Sequence, residues 1–284
     1  MAVRVTTQVR KQTGTLLAVP ALFWLVFFFI IPVLLVAVIS LMSRGSGGSP
    51  ELPLTFAHYQ RTFSTFGIVL QRSLGIAFWT TLVCLLMGYP LALFIRTRQS
   101  AAMRRLALFL IILPFWTNFL VRTYAWRMLL GREGVINAAL QGIGLSGEPL
   151  QLLNTEFAVM VGLVYGFLPF MVLPIYASVE RFDFHFAEAA YDLGANKWQM
   201  FLRIMLPMTM PGVLAGCVLV FIPAIGAFVT PDLLGGRQGL MIGNLIHSQF
   251  GATGNLPLGA AMSMVMLSLV LIPLVIYVRM GREK

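Results

Sequence analysis

His58, His185 and His247 are the only histidines, and none has a second histidine at helical spacing, so no pair can grip a metal ion from one helix face. Cys84 and Cys217 each sit inside a long apolar run, where thiols pack as small hydrophobes rather than forming a disulfide framework or a metal site. The sequence has no G-x-x-x-x-G-K-[ST] phosphate loop, no H-E-x-x-H helix and no G-x-G-x-x-G turn following a predicted strand. No catalytic residue and no metal ligand is therefore assigned. One polar stretch, Glu180 to Pro211, mixes Phe184, Phe186, Ala187, Ala190 and Leu193 with Glu188, Asp192, Lys197 and Arg203. That pattern suits short helices at an interface, and Gly194 followed by Ala195-Asn196 marks a turn between two of them.

The elements that must hold this stretch are apolar. Of 284 residues 58% are hydrophobic and 11% charged, against about 25% charged in a soluble domain. The apolar residues fall into six blocks, and continuous runs rather than alternating ones select helices in hydrocarbon. The expected spans are Leu16 to Met42, Leu74 to Ile95, Leu106 to Leu130, Phe157 to Val179, Val213 to Val229 and Leu258 to Val278. The first run is longer than a signal-peptide core and lacks a clear small-x-small cleavage site, so it reads as a retained helix. The corresponding division is a tail over 1–15, a first helix and outer segment over 16–73, a five-helix core over 74–278 containing the 180–212 segment, and a tail over 279–284.

The net charge of +10 is spread as topology rather than as a nucleic-acid footprint. Thirteen of the 20 basic residues fall in segments on the N-terminal side of the membrane, and the short loop holding Arg96, Arg98, Arg104 and Arg105 carries no acid. Both termini are thus expected in the cytoplasm. The middle of each span lacks Asp, Glu, Lys and Arg, which argues against a self-powered proton-coupled carrier. Energy for uphill transport would have to enter through another subunit. The Gly162/Gly166 and Gly212/Gly216 pairs are candidates for close helix approach.

Glu188-Ala189-Ala190, three residues, Gly194, nine residues, Ile204, one residue and Leu206-Pro207 together resemble the EAA signature of membrane-spanning subunits of bacterial ABC importers. Two further strings, Leu113 to Trp126 and Gly226 to Gly236, are similar to permeases of spermidine/putrescine importers, although Ala227 stands where relatives often carry an acid. The resemblance implies an all-α membrane protein with six transmembrane helices and the type I ABC importer permease (MetI-like) fold. It implies a multi-pass subunit of a bacterial cell inner membrane that works with a second homologous permease, two ATP-binding subunits and a periplasmic or tethered polyamine-binding protein, surrounded by membrane lipid. No cofactor is implied in this chain, since ATP and Mg would be bound by the partner ATPase. Ala187, Glu188, Ala189, Ala190, Asp192, Gly194, Ala195 and Trp198 would form the ATPase-coupling contact, with Trp198 and Phe201 cementing the loop to the membrane core. A desolvated polyamine needs aromatic faces or carboxylates, and Trp116, Tyr124, Trp126, Tyr165, Phe167 and Asp232 are the candidates for its pathway. The alternatives are a permease for another small organic solute and a non-transporting membrane assembly subunit.

Overall fold

The computed structural model describes residues 19–282, so the tail expected over 1–15 and the last two residues of the 279–284 tail lie outside it. The order is α1 (Val19–Leu41), β1 (Met42–Arg44), β2 (Pro50–Leu54), α2 (Ala57–Arg96), α3 (Ala101–Ile112), α4 (Phe119–Leu130), α5 (Val135–Gly142), α6 (Glu156–Glu180), α7 (His185–Asp192), α8 (Lys197–Ile225), α9 (Val229–Leu234), α10 (Ile242–Phe250) and α11 (Leu256–Arg282). The chain separates into two units, one of Met1–Thr65 with Ser248–Val265 and one of Phe66–His247 with Met266–Lys284.

In the first unit α1 leaves its apolar surface uncovered: Phe23, Trp24, Phe28 and Phe29 are all more than half exposed. A helix apolar all round and exposed over most of its length is built for lipid or another chain. β1 and β2 form an antiparallel hairpin, with Ser43 opposite Glu51 and Arg44 opposite Pro50, and Gly47 takes a positive φ in its turn. The hydroxyls of Ser40 and Tyr59 meet at 2.7 Å, tying the end of α1 to the start of α2.

The second unit has its core where α2, α6 and α8 meet, with Cys84, Ala92 and Ile95 buried against Met171, Val172, Ile175, Val179, Val213 and Val220. Tyr89 of α2 shares a 2.8 Å hydrogen bond with Thr209 of α8, so the polar tips are satisfied inside apolar surroundings. A Cβ on Gly212 would stand 2.5 Å from the Pro174 carbonyl oxygen, and one on Gly216 3.2 Å from that of Met171. The Gly212/Gly216 pair is therefore a close helix contact, as the spacing suggests. Gly166 has nothing within 4 Å of its would-be Cβ, so the Gly162/Gly166 pair acts only through Gly162, which faces Thr230 and Leu234.

Three helix boundaries differ from the sequence reading, and prolines explain two of them. The expected fifth span, Val213 to Val229, is part of α8, a 29-residue helix starting at Lys197. Neither Pro207 nor Pro211 breaks it; the turn before Pro207 widens to π geometry over Phe201–Met205 and absorbs that proline's missing N–H. The same device precedes Pro32 in α1, over Val26–Ile30. The expected third span, Leu106 to Leu130, is broken instead: α3 ends in a 3-10 turn over Leu113–Trp116, and the chain bends by 93° before α4. Pro114 opens that turn, and Asn118 closes it by accepting the Leu120 N–H at 2.8 Å as the cap of α4. Finally, α2 starts at Ala57, well before Leu74.

Among the described residues four helices, α1, α2, α6 and α8, are long and apolar enough to cross a membrane, and the bent pair counted as one span brings the number to five. The sixth expected crossing falls on α11, whose apolar stretch is Leu256–Ile272 among the described residues.

Candidate functional site

α7 and the first turn of α8 form a small helix–turn–helix. Gly194, at φ +83°, makes the left-handed turn after α7, a conformation that costs other L-residues strain. Asn196 and Gln199 then form a reciprocal cap: the Gln199 N–H donates to Asn196 Oδ1 at 2.8 Å and the Asn196 N–H to Gln199 Oε1 at 2.9 Å. The turn expected from Gly194-Ala195-Asn196 is thus built by backbone geometry on one side and by side-chain capping on the other.

The segment has an inner and an outer face. Ala187 and Ala190 are buried, and Ala187 packs in a cluster with Phe182 and Met205, flanked by Leu93, Phe184 and Phe201. These two alanines hold the segment to its own chain rather than facing outward. Glu188, Ala189, Asp192 and Gly194 are exposed and Ala195 is partly so. Glu188 pairs with His185 at 3.2 Å on the surface. Trp198 is 73% exposed, so it is part of the outer face and not the cement between loop and core. Of the two residues expected to hold the loop to the core, Phe201 does so, its ring meeting Tyr89 edge-on at 5.3 Å. Leu193, read from the sequence as one apolar residue of the interface stretch and given no role of its own, is 89% exposed at the tip beside Gly194.

The pathway candidates divide similarly. Trp126 of α4 and Tyr165 of α6 meet edge-on at 5.5 Å, and α9, the helix carrying exposed Asp232, packs on both α4 and α6. Tyr124 is half exposed on α4. Trp116 is 78% exposed on the far side of the bend, against Phe109. Phe167 contacts three internal clusters, including Ile76, Val159 and Ala224, and so belongs to the packed core. The Arg122 guanidinium lies over the rings of Phe115 and Phe119 at 5.4 and 5.9 Å, so the cation is held by the aromatic bend itself. Around these residues the loops are pinned by asparagines. Buried Asn137 donates to the Gly131 and Leu150 carbonyls and accepts from the Leu150 N–H, and Asn244 donates to the Phe228 carbonyl at 2.7 Å.

Membrane-length helices, with a capped helix–turn–helix presented at one surface, are the architecture of a membrane-embedded subunit. Residues 85–282 match the family described as binding-protein-dependent transport system inner membrane component, and the chain belongs to that family. It is a transporter component rather than an ATPase. The spermidine/putrescine transport system permease protein PotB of Haemophilus influenzae is 43% identical over 260 residues, 91% of each chain. The protein of the same name from Escherichia coli K12 is 42% identical over 91% of this chain and 94% of its own. Among solved structures, a bacterial alginate ABC transporter in complex with alginate pentasaccharide-bound periplasmic protein has a chain of the same fold. The TM-score is 0.74 at 18% identity, covering 98% of this chain and 96% of that one. The all-α importer-permease fold expected from the EAA-like segment is therefore the fold found.

Proposed function

We propose that this chain is a permease subunit of an ATP-driven importer for spermidine or putrescine, supplying half of the translocation route and one mechanical link to a cytoplasmic ATPase. The observation that carries the substrate is the 43% identity, over 91% of the chain, to a permease named for those amines. A second homologous permease completes the route, two ATP-binding subunits hold ATP and Mg, and a periplasmic or tethered binding protein delivers the amine. The exposed face of Glu188, Ala189, Asp192, Leu193, Gly194 and Trp198 supports a docking role, because a compact contact can pass closure of the ATPase into α8 along one continuous helix. Trp126, Tyr165 and the helix bearing Asp232 support the pathway role by lying together.

Two measurements bear on this reading. The charge pattern supports a cytoplasmic side for both termini and the Arg104 loop. An impermeant thiol reagent added to intact cells should then label Ser146→Cys and spare Ser100→Cys; the reverse pattern would invert the topology. In proteoliposomes holding the whole importer, labelled spermidine should enter only with ATP and the binding protein. Asp232→Asn should slow that entry by about tenfold, the usual order for losing a charged hydrogen-bond partner. Unchanged kinetics across substrate concentrations would remove Asp232 from the route, and uptake of a different organic solute in place of spermidine would replace the substrate.

A further inference from the structure

A groove of about 580 Å³ runs along α2 and the first turn of α6, on a face that no pathway string of the sequence touches. Its α2 wall is one helical stripe, Arg72, Ile76 and Trp79, at the spacing that stacks side chains along a single face. Its α6 wall is Glu156 and Phe157, with Gln71 at the rim. Arg72 Nε reaches Glu156 Oε1 at 2.9 Å, yet the side chains remain 30% and 53% exposed. Trp79 and Phe157 are 57% and 50% exposed, so their faces are open to a ligand.

From this juxtaposition we infer a second amine subsite, in which an ammonium group of an aliphatic polyamine displaces Arg72 from Glu156 while the methylene chain and the next ammonium lie along Trp79 and Phe157. The inference rests on the polyamine reading above. An exposed Arg–Glu pair is weak because water screens it and both side chains are ordered by holding it. An incoming amine therefore has little to overcome, and it gains aromatic faces that the arginine does not use. Arg72 and Trp79 are seven residues apart, about 10 Å along a helix, which suits an extended chain with a charge at each end. The carboxylate also sets the sign, since an anionic headgroup would be repelled by Glu156 whenever Arg72 swings away. In this arrangement Arg72 occupies the carboxylate in the empty site and releases it to the substrate.

The test uses the assembled importer with Met160→Cys, a groove position, and follows its modification by a thiol reagent as spermidine is titrated. Spermidine is expected to slow the labelling, and sodium chloride at equal ionic strength to leave it unchanged. Glu156→Gln should raise the half-protecting concentration about tenfold, whereas Arg72→Gln should lower it about threefold by removing the competitor. Opposite signs are the signature. A pair that only braces α2 against α6 would give the same direction for both variants, and that result, or no protection in the parent, overturns the subsite. Spermidine uptake by the parent importer is measured alongside. Uptake without protection sinks the subsite alone, while absence of uptake sinks the polyamine reading and the subsite with it.

Discussion

Leu193→Asp is expected to abolish substrate-stimulated ATP hydrolysis and to cut uptake by about thirtyfold or more while leaving the chain inserted at normal levels. The residue is 89% exposed and its side chain supports nothing in its own fold; its backbone N–H still donates to the Ala189 carbonyl at 3.1 Å whatever the side chain. A carboxylate at the end of α7 costs the helix about 0.5 kcal/mol through its dipole, far too little to unfold the segment. Buried in a partner's cleft, the same charge removes an apolar anchor and adds a desolvation penalty, together in the range of 2 kcal/mol or more that marks interface anchors. Leu193→Met should retain function, because it keeps the apolar volume. Normal hydrolysis and uptake in Leu193→Asp would remove the tip from the contact. Crosslinking from Asp192→Cys to the ATPase would then decide whether the helix docks by Glu188 and Ala189 alone or does not dock at all.

The two faces of this segment show how far the residues could be read in advance. The turn was legible, since Gly194 and Asn196 do local work that neighbouring residues decide. Which alanine faces outward was not. Ala187 and Ala190 are three apart, as are Glu188 and Tyr191, and only the packing of Phe182 and Met205 settles which pair turns inward. The same limit governs the pathway strings. Aromatic content singled out Trp126 and Tyr165, whose rings meet, but Phe167 is drawn inward by helices far away in sequence. Prolines inside apolar runs were ambiguous for a physical reason. Pro207 is absorbed by a π turn and α8 continues, whereas at Pro114 the chain leaves the helix altogether. The Arg72–Glu156 pair joins residues on separate helices, with no spacing to announce it. Hydropathy located the apolar blocks and left the side-chain partners to tertiary contact.

The glycines of α6 and α8 turn that limit into a measurement, because two pairs of identical spacing have different surroundings. In a helix exposed to nothing, Gly→Ala stabilises by about 1 kcal/mol through backbone entropy, and Gly166, with nothing within 4 Å, should show that gain. At Gly212 the added methyl would sit 2.5 Å from the Pro174 carbonyl oxygen and 2.7 Å from Ser178 Cβ. The Ser178 hydroxyl is closer still and can rotate away, but the Pro174 carbonyl oxygen and Ser178 Cβ are fixed to the backbone, and the proline ring restricts how its own backbone can adjust. The helices must separate, and overpacking of that kind costs about 1–3 kcal/mol, enough to reverse the propensity gain. Gly216 lies between these cases: its closest neighbour, Met171 Sδ at 2.7 Å, belongs to a flexible thioether, and the Met171 carbonyl oxygen is at 3.2 Å. In detergent, the temperature at which half of each variant is lost from the monodisperse fraction should therefore rise for Gly166→Ala, fall slightly for Gly216→Ala and fall most for Gly212→Ala. A uniform shift in all three would mean that α6 and α8 do not meet at Pro174, and the core that carries motion from the coupling segment into the membrane would need a different contact.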